Sequence, residues 1–444
     1  MGIKHQFNME KKFLITSITS VLLLGGTIYG QNDLSNFKLR NTGLMSVAPN
    51  TIVSTGFDFI NEEKSTVRTD GIIYFFKDFT NKGVFDFSSK VKTSTVYFLS
   101  KDSATKAKVL QGDEVSYFYN VVFDNPNYGI DLKNNIEVFG VADFKEGIIK
   151  VDSTFNDKKK LSYGMVTFNS GATHKNASDK SYVEGEVEKV GNESFVYPIG
   201  DKKMYRRATI SAPKQLKDVI KSKYTARDKK FFEKHTAVSG VIDKINTAEY
   251  WELRTTKKGA NRVVLTLSWD ERITPADLLN NPEKNLHIVR WDTEQKMWID
   301  EGGVVDMEKK EVSTLAEISG FGYFTLANVK DVLLDGDVVI YNLVTPNGDD
   351  MNDYFIIDNI NKYPNNKVQI YDRWGVLVYE TTNYDPKGDG SENVFNGYSE
   401  GRVTYNKNKK LPTGTYYYIV IYEYKDKNGS RMIKKAANLH LDTN

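Results

Sequence analysis

Through residues 31–200, apolar positions come in short runs with a period near two, each bounded by Gly, Asn or Asp. The runs at 71–76 (GIIYFF), 83–87 (GVFDF), 91–99, 115–123, 129–132, 136–139, 147–151 and 165–168 are rich in Val, Ile, Tyr and Phe, residues that suit a pleated, half-buried surface. Several open with Gly and recur about every 10–20 residues, the texture of a β-solenoid in which each rung covers the open edge of its neighbour. The spacing is irregular, so a β-sandwich fits the same runs and both readings stay open. Asn125, Asn127, Asn134 and Asn135 fall between runs, where asparagine tolerates left-handed backbone angles.

Residues 201–330 differ in texture. The stretch 214–235 is highly charged, with apolar positions at Leu216, Val219 and Ile220, and predicts a short helix or an exposed insertion. Strand patterns return at 249–253 (EYWEL), 262–269 (RVVLTLSW), 287–291 (HIVRW) and 322–326 (GYFTL), with a brief helical turn over 275–281. Strands parted by turns, with little helix between them, predict a β-sandwich. Residues 328–337 link this part to a last module, 336–444. Its clearest strands are 368–371, 376–379, 415–422 and 437–441, the third long and aromatic enough to be central. A small antiparallel, Ig-like sandwich of about seven strands is expected there. The chain is therefore expected to be all-β, divided into 1–30, 31–200 (solenoid or sandwich), 201–330 (sandwich) and 336–444.

The first thirty residues belong to none of these cores. Lys4, Lys11 and Lys12 precede an uncharged apolar run at 13–28, and Gly30 offers a small residue for cleavage. A signal peptide is expected rather than a membrane anchor, because the run is shorter than the ~20 residues a bilayer core requires. No cysteine follows, which excludes a lipoprotein anchor, and the whole chain has none. Disulfides, thiolate zinc sites and a cysteine nucleophile are thereby excluded, and packing and hydrogen bonding must hold an exported fold. With 60 Lys+Arg against 58 Asp+Glu the net charge is +2, so no bulk attraction to nucleic acid is expected. Hydrophobic residues at 40% supply real cores and exclude wholesale disorder.

Candidate chemistry is sparse. His5, His174, His235, His287 and His440 lie at no metal-ligand spacing, and His287 sits in a strand pattern beside Ile288 and Val289. There is no phosphate loop and no zinc-protease helix, and no stretch is read as the Gly-x-Ser-x-Gly elbow of a serine hydrolase. No catalytic residue, no enzyme activity and no cofactor are expected. Two acidic turns are weak calcium candidates, through Asp349 and Asp353 in one and Asp385 and Asp389 in the other. Met351 and Lys387 break the ligand alternation, which favours Asx turns closing on their own backbone. Trp251, Trp269 and Trp291 lie in strand runs and are expected in a core rather than against a sugar. Residues 411–414 (LPTG) resemble a sortase signal one residue short, but feed directly into a strand and are read as its turn.

Three runs of the last module together carry a resemblance. Residues 345–355 (TPNGDDMNDYF), 368–379 (VQIYDRWGVLVY) and 411–418 (LPTGTYYY) resemble, in order, the signatures of the gliding-motility-associated C-terminal domain. That family is the type B sorting domain of the type IX secretion system of Bacteroidetes. Asp350 stands where the family has Gly, and Phe395-Asn396-Gly397 where it has Trp-Asn-Gly. The matching positions are Thr345, Pro346, Asn347, Gly348, Asp349, Asn352, Asp353, Arg373, Trp374, Gly375, Leu411, Pro412, Gly414 and Tyr416. Among them Asn347 and Gly348 are expected to make a turn, Trp374 to fill a pocket, Gly375 to permit a tight hairpin, and Arg373 to form a salt bridge or meet the translocon. Residues 183–185, 195–201, 249–251, 267–270 and 321–327 resemble patterns common upstream of such domains and name no activity.

The resemblance implies a route. The signal peptide leads to the periplasm, the type IX translocon reads the Ig-like sorting domain, and the chain reaches the medium or the outer face of the outer membrane. A PorP/SprF-type outer-membrane protein is an implied partner. The expected role is structural, adhesive or gliding-associated. The alternatives are a surface enzyme or a carbohydrate-binding protein carried by the same domain, with an extracellular glycan as ligand.

Overall fold

The computed structural model describes residues 37–100, 106–151, 164–239, 242–256, 262–314, 316–318, 320–329, 338–349, 351–399, 410–426 and 429–443. The expected signal peptide (1–30) and Asp350 lie outside the described residues. Strand accounts for 51% of the described residues and helix for 5%, so the protein is all-β. No helix among the described residues is long and apolar enough to cross a membrane.

The first part is a parallel β-solenoid with three faces. One stacks Lys38–Asn41, Asp58–Asn61, Phe79–Asn81, Lys108–Gln111, Ile130–Leu132, Ile149–Val151 and Val183–Glu184. The second runs from Leu44–Val47 to Val187–Val190 and the third from Ile52–Thr55 to Thr173–Lys175. Within each face strand pairs with strand in parallel, one rung to the next. The alternation of the sequence is the cause. Phe59, Phe75, Phe79, Phe85, Phe98, Phe118, Phe123 and Phe144 all turn inward and are buried. Their rings meet from rung to rung at centroid distances of 5.1–6.3 Å.

Asparagines, half-buried at Asn41 and buried at Asn61 and Asn81, tie the rungs at one corner. Asn41 Nδ2 donates to Asn61 Oδ1 and Asn61 Nδ2 to Asn81 Oδ1, both at 2.9 Å, and Asn81 Nδ2 donates to Ser116 Oγ at 3.1 Å. The sequence steps in this ladder are 20, 20 and then 35 residues, an insertion that explains the irregular period. Of the four asparagines expected in left-handed turns, only Asn127 has a positive φ, +73°. Asn125 and Asn134 are instead buried, with Nδ2 donating to Phe98 O at 2.8 Å and Glu114 O at 3.3 Å. Their amides spend their N–H groups on backbone carbonyls far away in sequence, which ties one turn of the solenoid to another.

The solenoid's second face does not end at Val187–Val190. It continues antiparallel into Val219–Ala226, Glu249–Thr255, Gly322–Val329, Leu286–Asp292 and Met297–Gly302. A second sheet of Phe195–Tyr197, Ala208–Ile210, Leu265–Ser268, Glu311–Ser313 and Val304–Asp306 accompanies it. One hydrophobic cluster runs unbroken from Val47 to Leu326, so solenoid and sandwich share a core. The sandwich also covers one open edge of the last rung, which would otherwise present unpaired backbone.

The expectation for 214–235 needs correction. Val219–Ala226 is an eight-residue strand in the middle of the large sheet, and only Lys229–Lys234 is helical. Ile220, Ser222, Tyr224 and Ala226 face inward, while Lys221 turns outward and pairs with Glu186 and Glu188 at 3.5 and 3.2 Å. The outward lysines answer carboxylates on neighbouring strands, so the charge that suggested an insertion is the solvent face of a strand.

The last module has a five-stranded sheet ordered Leu343–Val344, Gly429–Leu441, Gly414–Asp426, Asn366–Tyr371, Leu377–Thr382, and a separate pair, Val339–Ile340 with Ile357–Asp358. The aromatic run at 415–422 is central, as expected. The pairing is not wholly antiparallel, because Leu343–Val344 joins the last strand in parallel. Val368, Ile370, Tyr418, Val420, Tyr422 and Leu439 form part of its own core. On the sheet's other face, Ile419 packs with Ala316 of the sandwich, against Val304, Tyr371, Tyr417, Ile421 and Ala436.

Candidate functional site

The sequence-marked positions of the last module gather at the turns of its sheet. Between Asn366–Tyr371 and Leu377–Thr382 the chain reverses in a tight hairpin with a register shift after Ile370. Asp372 builds the turn: its N–H donates to Val376 O, its carbonyl accepts the Gly375 N–H, and its Oδ1 accepts the N–H groups of Trp374 and Val376, all at 2.9 Å. Gly375 has φ +75°, and a Cβ added there would meet nothing, so the backbone angle rather than space demands glycine.

This turn places Trp374 in solvent. Its side chain does not fill a pocket, as expected from the sequence, but is 76% exposed. The Arg373 guanidinium lies 5.1 Å from the Trp374 ring centroid and makes no ion pair among the described residues. Both project beyond the sheet, where no core is within reach. Trp374 is instead one wall of a shallow pocket of about 160 Å³, closed by Leu411, Pro412, Thr413, Gly414 and Tyr416. The Tyr416 hydroxyl donates to Pro412 O at 2.8 Å and fixes that turn. The second and third signatures, distant in sequence, thus form one surface.

The first signature packs behind it. Pro346 is buried over Gly397, where a Cβ would come within 3.1 Å of the proline ring, and the Lys410 ammonium donates to Pro346 O. Leu411 N donates to Gly397 O at 2.7 Å, which joins this loop to the third signature. Thr345 N donates to Asn352 O at 2.7 Å and Thr345 Oγ1 to Met351 O at 3.0 Å. Asp349 Oδ1 accepts the Met351 N–H and Asp353 Oδ1 the Gly348 N–H. In the other acidic turn Asp385 Oδ1 accepts the N–H groups of Asp389 and Gly390, and Asp389 Oδ1 that of Ser391. Each of the four calcium candidates is therefore engaged in closing its own turn. Among the described residues no three His, Asp or Glu side chains are grouped to hold a metal.

One run carries the letters of a nucleophile elbow after all, residues 397–401 (GYSEG). Ser399 there is buried and its Oγ donates to Val378 O at 3.1 Å, a structural bond rather than an exposed nucleophile.

Upstream, the structure reveals a polar centre that sequence reading missed. Arg206 and Glu249 form a fully buried two-pronged pair, with Nε and Nη2 at 2.9 and 3.0 Å from the carboxylate. Glu249 also accepts from Tyr224, Asn246 and Thr274, and Arg206 donates to Ser268. Burial first, then the Glu249 charge, pushes the Tyr224 phenol far above its usual value. Trp251 Nε1 donates to Arg206 O at 3.0 Å. The runs at 249–251 and 267–270 thus meet at one network, whose every charge is paired. Trp251, Trp269, Trp291 and Trp298 are buried.

Residues 338–435 match the family described as the CHU_C Type IX secretion signal domain, a span that includes all three signatures. No curated protein and no solved structure matches the chain.

Proposed function

We propose that this chain, whose last module is a type IX secretion signal domain, is a surface-displayed structural or adhesive protein. The domain supports export by the type IX route and a secreted or cell-surface location. Within it, Arg373, Trp374 and the 411–414 turn form the face that the secretion machinery grips, with a PorP/SprF-type barrel as the partner that retains the chain. The observation that carries this reading is the exposure of Trp374: an indole 76% in solvent beside a guanidinium that makes no ion pair among the described residues contributes little to folding and suits a binding contact. The solenoid, its interior filled by phenylalanine, is the displayed part and works through its lateral surface.

A glycan-binding role rests on one observation. The rings of Tyr74 and Tyr97 stack at 4.5 Å on adjacent rungs and are half-buried on the outer side, a platform on which a sugar face can lie. Tyrosine fluorescence titrated against a glycan panel tests it, and the absence of any response removes it.

The test of the main reading is added protease on intact cells. The full chain is expected to be degraded and a chain lacking 336–444 to be protected inside. Trp374→Ala is expected to leave the unfolding free energy of the purified chain within about 0.5 kcal/mol of wild type, as for surface positions generally, while lowering the exported fraction. Equal export of all three chains removes the sorting reading. Normal export of Trp374→Ala alone removes only the assignment of the contact face.

A further inference from the structure

The bonds that close the first signature loop also set a carboxylate against the Asn347–Gly348 peptide. The Gly348 N–H donates to Asp353 Oδ1 at 2.6 Å. Asn347 Oδ1 accepts the Asp349 N–H at 3.2 Å, and Asn347 Nδ2 donates to Asp349 Oδ2 at 2.9 Å. This Asx turn bends the side-chain amide over the Gly348 peptide to reach the Asp349 nitrogen. Gly348 has φ +84°, with open space where a Cβ would stand, so no neighbouring atom crowds the step on that side. Asn347, Gly348 and Asp349 are all exposed to water.

We propose that Asn347 is a self-modification site, converted to aspartate and isoaspartate by cyclisation onto Gly348. Asp353 takes the Gly348 amide proton, the nitrogen bonds to Asn347 Cγ, and the charge gathering on Oδ1 is met by the Asp349 N–H. The Cγ–Nδ2 bond then breaks, and ammonia leaves with a proton supplied by the protonated Asp353 or by water. Water opens the cyclic imide at either carbonyl. Oxidation states do not change, and water is the one co-reactant. The product carries an additional negative charge in the first signature, and in the isoaspartyl form an additional backbone atom. The sorting module would thus bear a mark that accumulates with time.

The chain contains its own comparison. Asn396–Gly397 has the same sequence and a positive φ at Gly397, +87°, but no carboxylate accepts its N–H among the described residues. Purified full chain is aged at neutral pH, digested, and read by peptide mass spectrometry with isoaspartyl methyltransferase labelling. Conversion at Asn347 is expected to run at least about tenfold faster in the folded chain than in the same chain held in urea, a modest share of what a positioned base supplies. Asn396 is expected to gain nothing from folding. Asp353→Asn should remove the excess and Asp353→Glu should keep part of it, with circular dichroism to confirm that each is folded. If Asp353→Asn does not fold, the folded-to-unfolded ratio of the unmodified sequence decides. Conversion no faster in the folded chain, or an excess that survives Asp353→Asn, overturns the proposal.

Discussion

Asn61 uses both ends of its amide on neighbouring rungs, accepting from Asn41 and Ser65 and donating to Asn81 and Val84 O. It is fully buried, so an apolar replacement leaves polar partners without bonds in a low-dielectric interior. Asn61→Leu is expected to cost about 1–3 kcal/mol, read as a lower denaturation midpoint; an unchanged midpoint would show that the ladder merely fills space. Phenylalanine inside and asparagine at the corners were both visible as letters in the sequence. Their partnership was not, because the third step of the ladder spans 35 residues rather than 20. Trp374 shows the same limit from the other side: its type suggested a pocket, and only the hairpin's direction puts it in water.

At the scale of elements, the adjacent strands Leu286–Asp292 and Met297–Gly302 carry a largely buried ion pair, its side chains 16% and 8% exposed. His287 Nδ1 lies 2.9 and 3.0 Å from the two oxygens of Asp300. Burial works against the imidazolium, but the charge and hydrogen bond of Asp300 outweigh it, so His287 is raised above its usual 6.5. Burial likewise works against the Asp300 carboxylate, but His287 and the Gly302 N–H bring it below its usual 3.8. The raised histidine contributes stability that is complete below its unfolded value and lost as pH rises through the folded one. The depressed aspartate contributes stability present above its unfolded value and lost as pH falls through the folded one. The pair therefore supports the hairpin most between about pH 4 and about pH 6.5. Melting of wild type and His287→Gln is expected to differ most inside that window and to converge toward pH 9; a constant difference across the range would count against the pair. His287 was placed correctly in a strand from the sequence, but Asp300, which pairs with the next-but-one residue Val289 beside a bulge, could be found as its partner only through the register of two strands.

At the scale of the molecule, the sorting module leans on the sandwich. Ile419 lies on the outer face of its sheet yet is only 1% exposed, because Ala316 and Val304 cover it. Lys434 adds a contact across the same seam, with Nζ 3.7 Å from Glu301 Oε2. Ile419→Lys places a charge in that seam without touching the module's own core. Calorimetry of the full chain is expected to change from one coupled transition to two separate ones. A single transition at a lower temperature would instead mean that Ile419 serves the module's own stability.

The sequence by itself determined the strand content, because a period of two with Val, Ile, Tyr and Phe can bury one face only as a sheet. It also pointed to the sorting module, since three local signatures occur in order within 338–435, the span that matches the family. It left solenoid and sandwich undecided for 31–200, because both bury alternate residues and differ only in which strand pairs with which. Only the tertiary structure decided that the rungs pair in parallel and that a charged stretch at 219–226 is a central strand. The same holds for the Arg206–Glu249 centre and for the shared surface of Trp374 and Pro412. Each of these depends on contacts between residues far apart in sequence, which local periodicity does not encode.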